Sequence, residues 1–148
     1  EKENMDAMQI DNFLNRRSGI LGISGLSSDF RDLEAAANNG DERSQLAIDV
    51  FAYNVKKYIG GYVAAMGGVD AIVFTAGLGE NSPFMREKIC IGLEYLGTRI
   101  DPELNKIRGK AREISIKRAR TKIFVIPTNE ELVIARDTKR ICRRIIDL

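Results

Sequence analysis

Asp70-Ala71-Ile72-Val73-Phe74-Thr75-Ala76-Gly77-Leu78-Gly79-Glu80-Asn81-Ser82-Pro83 is the stretch from which the fold is read. Residues 70–76 form a continuous apolar run of strand length, the pattern of a strand buried on both faces. Gly77 to Asn81 read as a tight turn. Ser82-Pro83 then starts a helix, because proline lacks only an N–H that the first helical position does not use. This helix carries Phe84, Met85, Ile89, Leu93 and Leu96 and is expected to end at Gly97. Strand, glycine turn and helix in that order predict an α/β fold.

Downstream, Thr98 to Ile100, Glu113 to Ile116 and Lys122 to Ile126 read as strands, and Asp101-Pro102 opens a short helix. Thr128-Asn129-Glu130-Glu131 has capping-box spacing, with Glu131 as the partner of Thr128. It opens a final helix bearing Leu132, Val133, Ile134, Ile141 and Ile145. Upstream, Asp6 to Arg16 reads as a short amphipathic helix carrying Met8, Ile10, Phe13 and Leu14. The Gly/Ser-punctuated stretch 18–28 reads as loop or short extended pieces. Asp29 is an N-cap for a helix over 31–38 that stops at Gly40. The longest helical pattern spans Asp41 to Met66 and ends at Gly67-Gly68. Its apolar positions cover so much of the circumference that it must be buried on more than one side, in a core or against a partner subunit.

The 148 residues are 44% hydrophobic and 30% charged, ordinary for one globular domain. There is no histidine, which excludes Ser–His or Cys–His catalysis and histidine-ligated metal from this chain. Residues 99–148 hold 14 of the 23 basic residues against 7 of the 21 acidic ones. Without interleaved aromatics, this run reads as a solvated face and predicts no nucleic-acid partner. Cys90 and Cys142 form no Cys-x-x-Cys pair, and two thiols suggest a reducing compartment, most simply the cytoplasm. No 18-residue apolar stretch predicts a membrane span. The chain starts at Glu1 without an initiator Met, so a piece of a longer protein is expected.

Ligands of open α/β sheets sit at the carboxyl ends of strands, here Gly77–Asn81 and Pro127–Glu130. Glycines after a strand let a ligand approach the backbone closely. The third glycine of a dinucleotide fingerprint is replaced by Ser82, and no Gly-Lys-Ser/Thr follows. A plain strand–helix turn therefore stays open beside a nucleotide loop. Asp29 reads either as a cap alone or as an acceptor for ribose hydroxyls with Arg31 against a base or phosphate. Glu130 reads either as a helix-dipole carboxylate or as a Mg²⁺ ligand.

Taken together, Ser27 to Glu34 (SSDFRDLE), Phe74 to Asn81 (FTAGLGEN) and Ile126 to Ala135 (IPTNEELVIA) resemble the C-terminal domain of the acetate kinases. Lys56 to Gly60 and Met66 to Val73 are similar too, and the likeness runs from about Asp11 to about Lys139. The resemblance implies part of an actin/Hsp70-like (ribonuclease H-like) domain, with a mixed sheet and flanking helices. It implies transfer of the γ-phosphoryl of ATP to acetate, with Mg²⁺ (alternatively Mn²⁺) as cofactor. Asp29, Phe30 and Arg31 match the family's adenosine-contacting triplet. Gly77, Leu78, Gly79, Glu80 and Asn81 match its second nucleotide loop, Leu78 and Met85 would line the adenine slot, and Glu130 matches its Mg²⁺-binding glutamate.

Residues 1–148 would then be the nucleotide-binding and dimerisation part, and the family's homodimer would explain the apolar helix 44–66. The family's acetate site, cationic clamp and other phosphate loop lie upstream of this segment. The chain alone is thus expected to lack catalytic residues and activity. Propionate or butyrate kinase, and a non-catalytic homodimerisation module, are the alternatives.

Overall fold

The computed structural model describes residues 5–146. They form two compact units, one of residues 5–69 with 88–93 and one of 70–87 with 94–146.

The first unit is helical. Helix α1 (Ala7–Asn12) starts with a reciprocal cap, Gln9 N–H donating to the Asp6 carboxylate and Asp6 N–H to the Gln9 side chain. It runs on into a π segment over Phe13–Arg17, so the helical run covers the expected extent to Arg16 but tightens to α geometry only over its first half. Met8, Ile10, Phe13 and Leu14 are exposed, so the expected apolar face covers no core. Only part of the Gly/Ser stretch is loop. Gly19–Ser24 is helix α2, closed by left-handed Gly25 (φ +68°). Arg43 Nε donates to the Ile23 carbonyl at the end of α2, so a contact twenty residues away holds a segment whose composition favours turns.

Helix α3 (Phe30–Asn38) begins at Asp29 as expected, and Gly40 (φ +93°) separates it from α4 (Glu42–Met66). Asp41 caps α4 by accepting the Ser44 N–H. The core of this unit includes Leu33, Ala47, Ile48 and Ala52, with Ile89, Cys90 and Leu93 from its 88–93 segment, and Phe30 lies edge-on to Phe51 at 4.7 Å. Lys88 pairs with Asp49 at 2.6 Å. No residue in the C-terminal half of α4 is fully buried, although Val55, Ile59 and Val63 are half-buried. Tyr53, Tyr58, Tyr62 and Met66 are exposed, so the all-round burial expected of this helix is not met within the chain.

The second unit is α/β. Strands β1 (Ala71–Phe74), β2 (Arg112–Glu113) and β3 (Lys122–Val125) form a mixed sheet in the order β1-β3-β2. β1 runs parallel to β3 with Ile72 opposite Ile123 and Phe74 opposite Val125, and β2 is antiparallel to β3. Of the expected strand 98–100, only an Ile100–Ser115 bridge forms. Ile72, Phe74, Ile123 and Val125 bury one face with Ile114, Leu96 and Met85. Ala71 and Val73 are exposed, so β1 is buried on one face rather than two.

The expected tight turn after β1 is a short helix, α5 (Ala76–Asn81). Helix α6 (Pro83–Cys90) ends well before Gly97, because Gly92 (φ +87°) turns the chain, and Glu94–Leu96 form a 3₁₀ turn. A second 3₁₀ turn, Leu104–Lys106, replaces the helix expected from Asp101-Pro102. Helix α7 (Glu130–Ile146) closes the unit with exposed side chains from Glu130 to Arg143. The Ile145 side chain lies outside the described ones.

Candidate nucleotide site

The site candidates fall into one group in each unit. In the second unit, the turns leaving β1 and β3 meet at Thr128. Its hydroxyl accepts the Ala76 N–H at 3.1 Å and lies 2.9 Å from the Thr75 hydroxyl. Its own N–H and O–H both donate to Glu80 Oε1, at 2.8 and 3.0 Å. The Thr128 N–H, foremost, holds the Glu80 carboxyl below its usual range. Among the described residues, Ala76 is the only non-glycine residue with positive φ, at +59°. That conformation is costly for a residue with a Cβ, and the Thr128 bond supports it.

Thr128 is therefore not the expected cap of α7. Asn129 is, its side-chain oxygen accepting the Leu132 N–H at 2.9 Å. Glu130 stands exposed in the first helical turn beside Glu131.

The two loop glycines differ. An added Cβ at Gly79 would lie 3.3 Å from the Phe74 carbonyl carbon, so α5 packs on the end of β1 through this glycine. At Gly77 an added Cβ would meet nothing within 4 Å. Close packing explains Gly79, while Gly77 borders open space. Leu78 is half-buried, and Asn81 donates from its side chain to the Gly77 carbonyl at 3.0 Å. Met85 is sealed in the core and offers no surface to a base, contrary to the adenine-slot expectation.

Beneath this turn sits Arg86, fully buried. Its guanidinium donates to the carbonyls of Gly79, Asn105 and Ile107 and to the Asn105 side chain, at 2.6–2.8 Å. Sequence reasoning missed both Thr128 and Arg86. Arg86 had a signal: it shares the face of Ser82, Met85 and Ile89 at helical spacing, where an apolar residue is ordinary.

In the first unit, Asp29, Phe30 and Arg31 open α3. The Asp29 carboxylate accepts the Arg31 N–H at 2.8 Å and pairs with its guanidinium, Nη2 to Oδ2 at 2.5 Å. The Arg31 side chain, foremost, lowers the Asp29 pKa to about 2. Arg31 is 90% exposed, whereas Phe30 is half-buried with its ring edge-on to Phe51. A cavity of about 320 Å³ between α3 and α4 touches none of these residues.

No group of three or more metal-ligating side chains is assembled among the described residues. The fit to Mg²⁺ is that of a hard oxygen donor with room around it. Glu130 supplies one exposed carboxylate, and Mg²⁺ accepts one or two, completing its shell with phosphate oxygens and water.

The profile of the acetokinase family matches residues 1–136. The acetate kinase of Caldicellulosiruptor saccharolyticus is 58% identical over 146 residues, covering 97% of this chain and 37% of that protein. That of Heliobacterium modesticaldum is 61% identical over 143 residues, covering 97% and 36%. Among solved structures, Porphyromonas gingivalis acetate kinase superposes with a TM-score of 0.87 at 46% identity, covering 95% of this chain and 36% of that one. A propionate kinase from Francisella tularensis gives 0.79 at 38% identity, covering 90% and 34%. The chain thus spans about 36% of the length of the acetate kinases it matches. Its mixed sheet with flanking helices matches part of their actin/Hsp70-like fold.

Proposed function

This chain belongs to the acetokinase family, and from that premise we propose that it is the C-terminal nucleotide-binding and dimerisation part of an acetate kinase. The whole enzyme would convert ATP and acetate to ADP and acetyl phosphate. The observation that carries the reading is the meeting of the Gly77–Asn81 segment and the Glu130 helix start at Thr128. A glycine bordering open space and a hard carboxylate thus sit at the carboxyl ends of adjacent parallel strands, where α/β sheets take ligands.

In this reading, Gly77, Leu78 and Gly79 offer backbone and an apolar edge to the adenosine, and Asn81 holds the Gly77 carbonyl. Asp29 accepts from ribose hydroxyls, with Arg31 turned from it toward base or phosphate and Phe30 setting the start of α3. Glu130 holds Mg²⁺, which would neutralise charge on the phosphates. Phosphoryl transfer depends on positioning and charge stabilisation. This chain supplies the nucleoside end and one carboxylate. The acceptor pocket and cationic clamp belong to the length of the relatives that it does not span, so the chain alone is inactive.

The exposed tyrosines of α4 supply the dimer surface. Tyr58 and Tyr62 stack at 6.5 Å, and Lys57 lies over Tyr53. No described helix is long and apolar enough to cross a membrane. Separately, two cysteines without a Cys-x-x-Cys pair favour a reducing compartment, and on that ground we assign the enzyme to the cytoplasm. The propionate kinase likeness supports a second reading for the acyl acceptor, which rate comparison with acetate, propionate and butyrate on the whole enzyme resolves.

The test is an ATP–Mg²⁺ titration of the chain followed by amide NMR. Shifts at Gly77, Gly79 and Arg31 are expected. Unmoved amides at millimolar nucleotide favour a non-catalytic dimerisation module. Acetyl phosphate trapped with hydroxylamine from the purified chain alone would overturn the expected inactivity.

A further inference from the structure

Glu80 lies within the segment assigned to the nucleotide, yet its carboxylate is already engaged inside the chain. One oxygen takes both the N–H and the O–H of Thr128. Thr128 in turn accepts from Ala76, the left-handed residue that starts α5. Two residues beyond Thr128 is Glu130, and the intervening Asn129 caps α7. Glu80 therefore closes a ring running from α5 through Thr128 to the head of α7, and back through Ala76.

We propose that Glu80 is a positioning residue: it does not touch nucleotide but holds Thr128, so that the Gly77–Asn81 backbone and the Glu130 carboxylate keep one fixed separation. This rests on the nucleotide reading above for its purpose, though the coupling itself does not need a ligand. The chemistry suits the role. A carboxylate accepting two donors forms charge-assisted bonds of about twice the ordinary strength. Releasing them frees the hydroxyl that supports Ala76, which then relaxes to negative φ and carries the start of α5 with it.

The test uses the chain itself, with Glu80→Ala, Thr128→Val and Thr128→Ser. Amide exchange at Ala76 and Thr128 should speed up about tenfold or more in Glu80→Ala. Thr128→Val should do the same at Ala76, and Thr128→Ser should restore protection to within about threefold. Ile123 and Val125 amides report whether each variant is folded; if Glu80→Ala is not, Thr128→Val against Thr128→Ser decides.

A nitroxide on Glu130→Cys, with Cys142→Ser, gives the second readout. Its relaxation of the Gly77 and Gly79 amides should be uniform in the parent and change at least twofold in Thr128→Val. Unchanged exchange at Ala76, or unchanged relaxation at both glycines, overturns the proposal. Relaxation that responds while ATP–Mg²⁺ moves no amide refutes the nucleotide reading and leaves the coupling standing.

Discussion

Replacing Arg86 by Met tests the internal support of the loop most directly. Met fills much of the arginine stem, so little apolar burial changes and the loss is confined to hydrogen bonds. Four are lost. The two to Asn105, to its carbonyl and its side-chain oxygen, are buried. The two to Gly79 and Ile107 are part-buried, and water can replace the donor there. An acceptor left buried without a partner costs about 1–3 kcal/mol. Two such acceptors, with a smaller share from the others, come to roughly 3–5 kcal/mol. Relief of the desolvation of a buried guanidinium offsets part of this, leaving about 3 kcal/mol out of the 5–15 kcal/mol that hold a typical domain.

Under native conditions that is roughly a hundredfold faster exchange of the Ile123 and Val125 amides, the buried strand amides of the same unit. Arg86→Lys keeps the charge but not the fork. One ammonium cannot reach acceptors on Gly79, Asn105 and Ile107 together, so most of the loss remains. If Arg86→Met exchanges within fivefold of the parent, or more slowly, the network is not what holds the Gly79 carbonyl. The arginine would then be one of those buried ions that an apolar residue replaces without loss.

Asp29 gives a pH signature. Its pKa is about 2 in the fold against an ordinary 3.8, so its contribution is present above about pH 4 and is lost as pH falls toward 2. Protection of the α3 amides should decline over that window, whereas Asp29→Asn removes the decline; an identical acid profile in the variant refutes the assignment. Gly79→Ala and Gly77→Ala separate packing from ligand approach. The first places a Cβ 3.3 Å from Phe74 and should destabilise by about 1 kcal/mol despite the helix-propensity gain. The second, which meets no clash, should leave the melting temperature unchanged or slightly raised while weakening the nucleotide response. Tyr58→Asp with Tyr62→Asp should convert a sedimenting dimer to monomer, and a persistent dimer would move the interface off α4.

The legible parts of the fold were those that short-range chemistry decides. Asp29 before an apolar-periodic segment, and Gly67 after one, mark helix ends because a capping carboxylate and a left-handed glycine act on the nearest backbone only. β1 was legible as a strand for the same reason. What could not be read locally was set by partners distant in the chain. Residues 19–24 have turn composition but form a helix that bonds to Arg43. Thr128 has capping spacing, and Glu80, 48 residues away, takes its hydroxyl instead.

The candidate site shows the same division, with a consequence for how its residues are assigned. Gly79 and Asp29 are residue types that suit a nucleotide, and Glu80 falls in the loop that the family resemblance assigns to it, yet each also has a partner inside the chain. Gly79 is packed on Phe74, Glu80 is held to Thr128, and Asp29 caps α3 and pairs with Arg31. Motif spacing cannot separate a residue that meets a ligand from one that holds such a residue in place, because both are needed in the same short segment. Exposure bears on the distinction: Gly77 borders open space, and the Arg31 and Glu130 side chains are exposed, Arg31 while paired with Asp29. Substitution at these three should therefore move nucleotide affinity more than stability, and substitution at Gly79 the reverse.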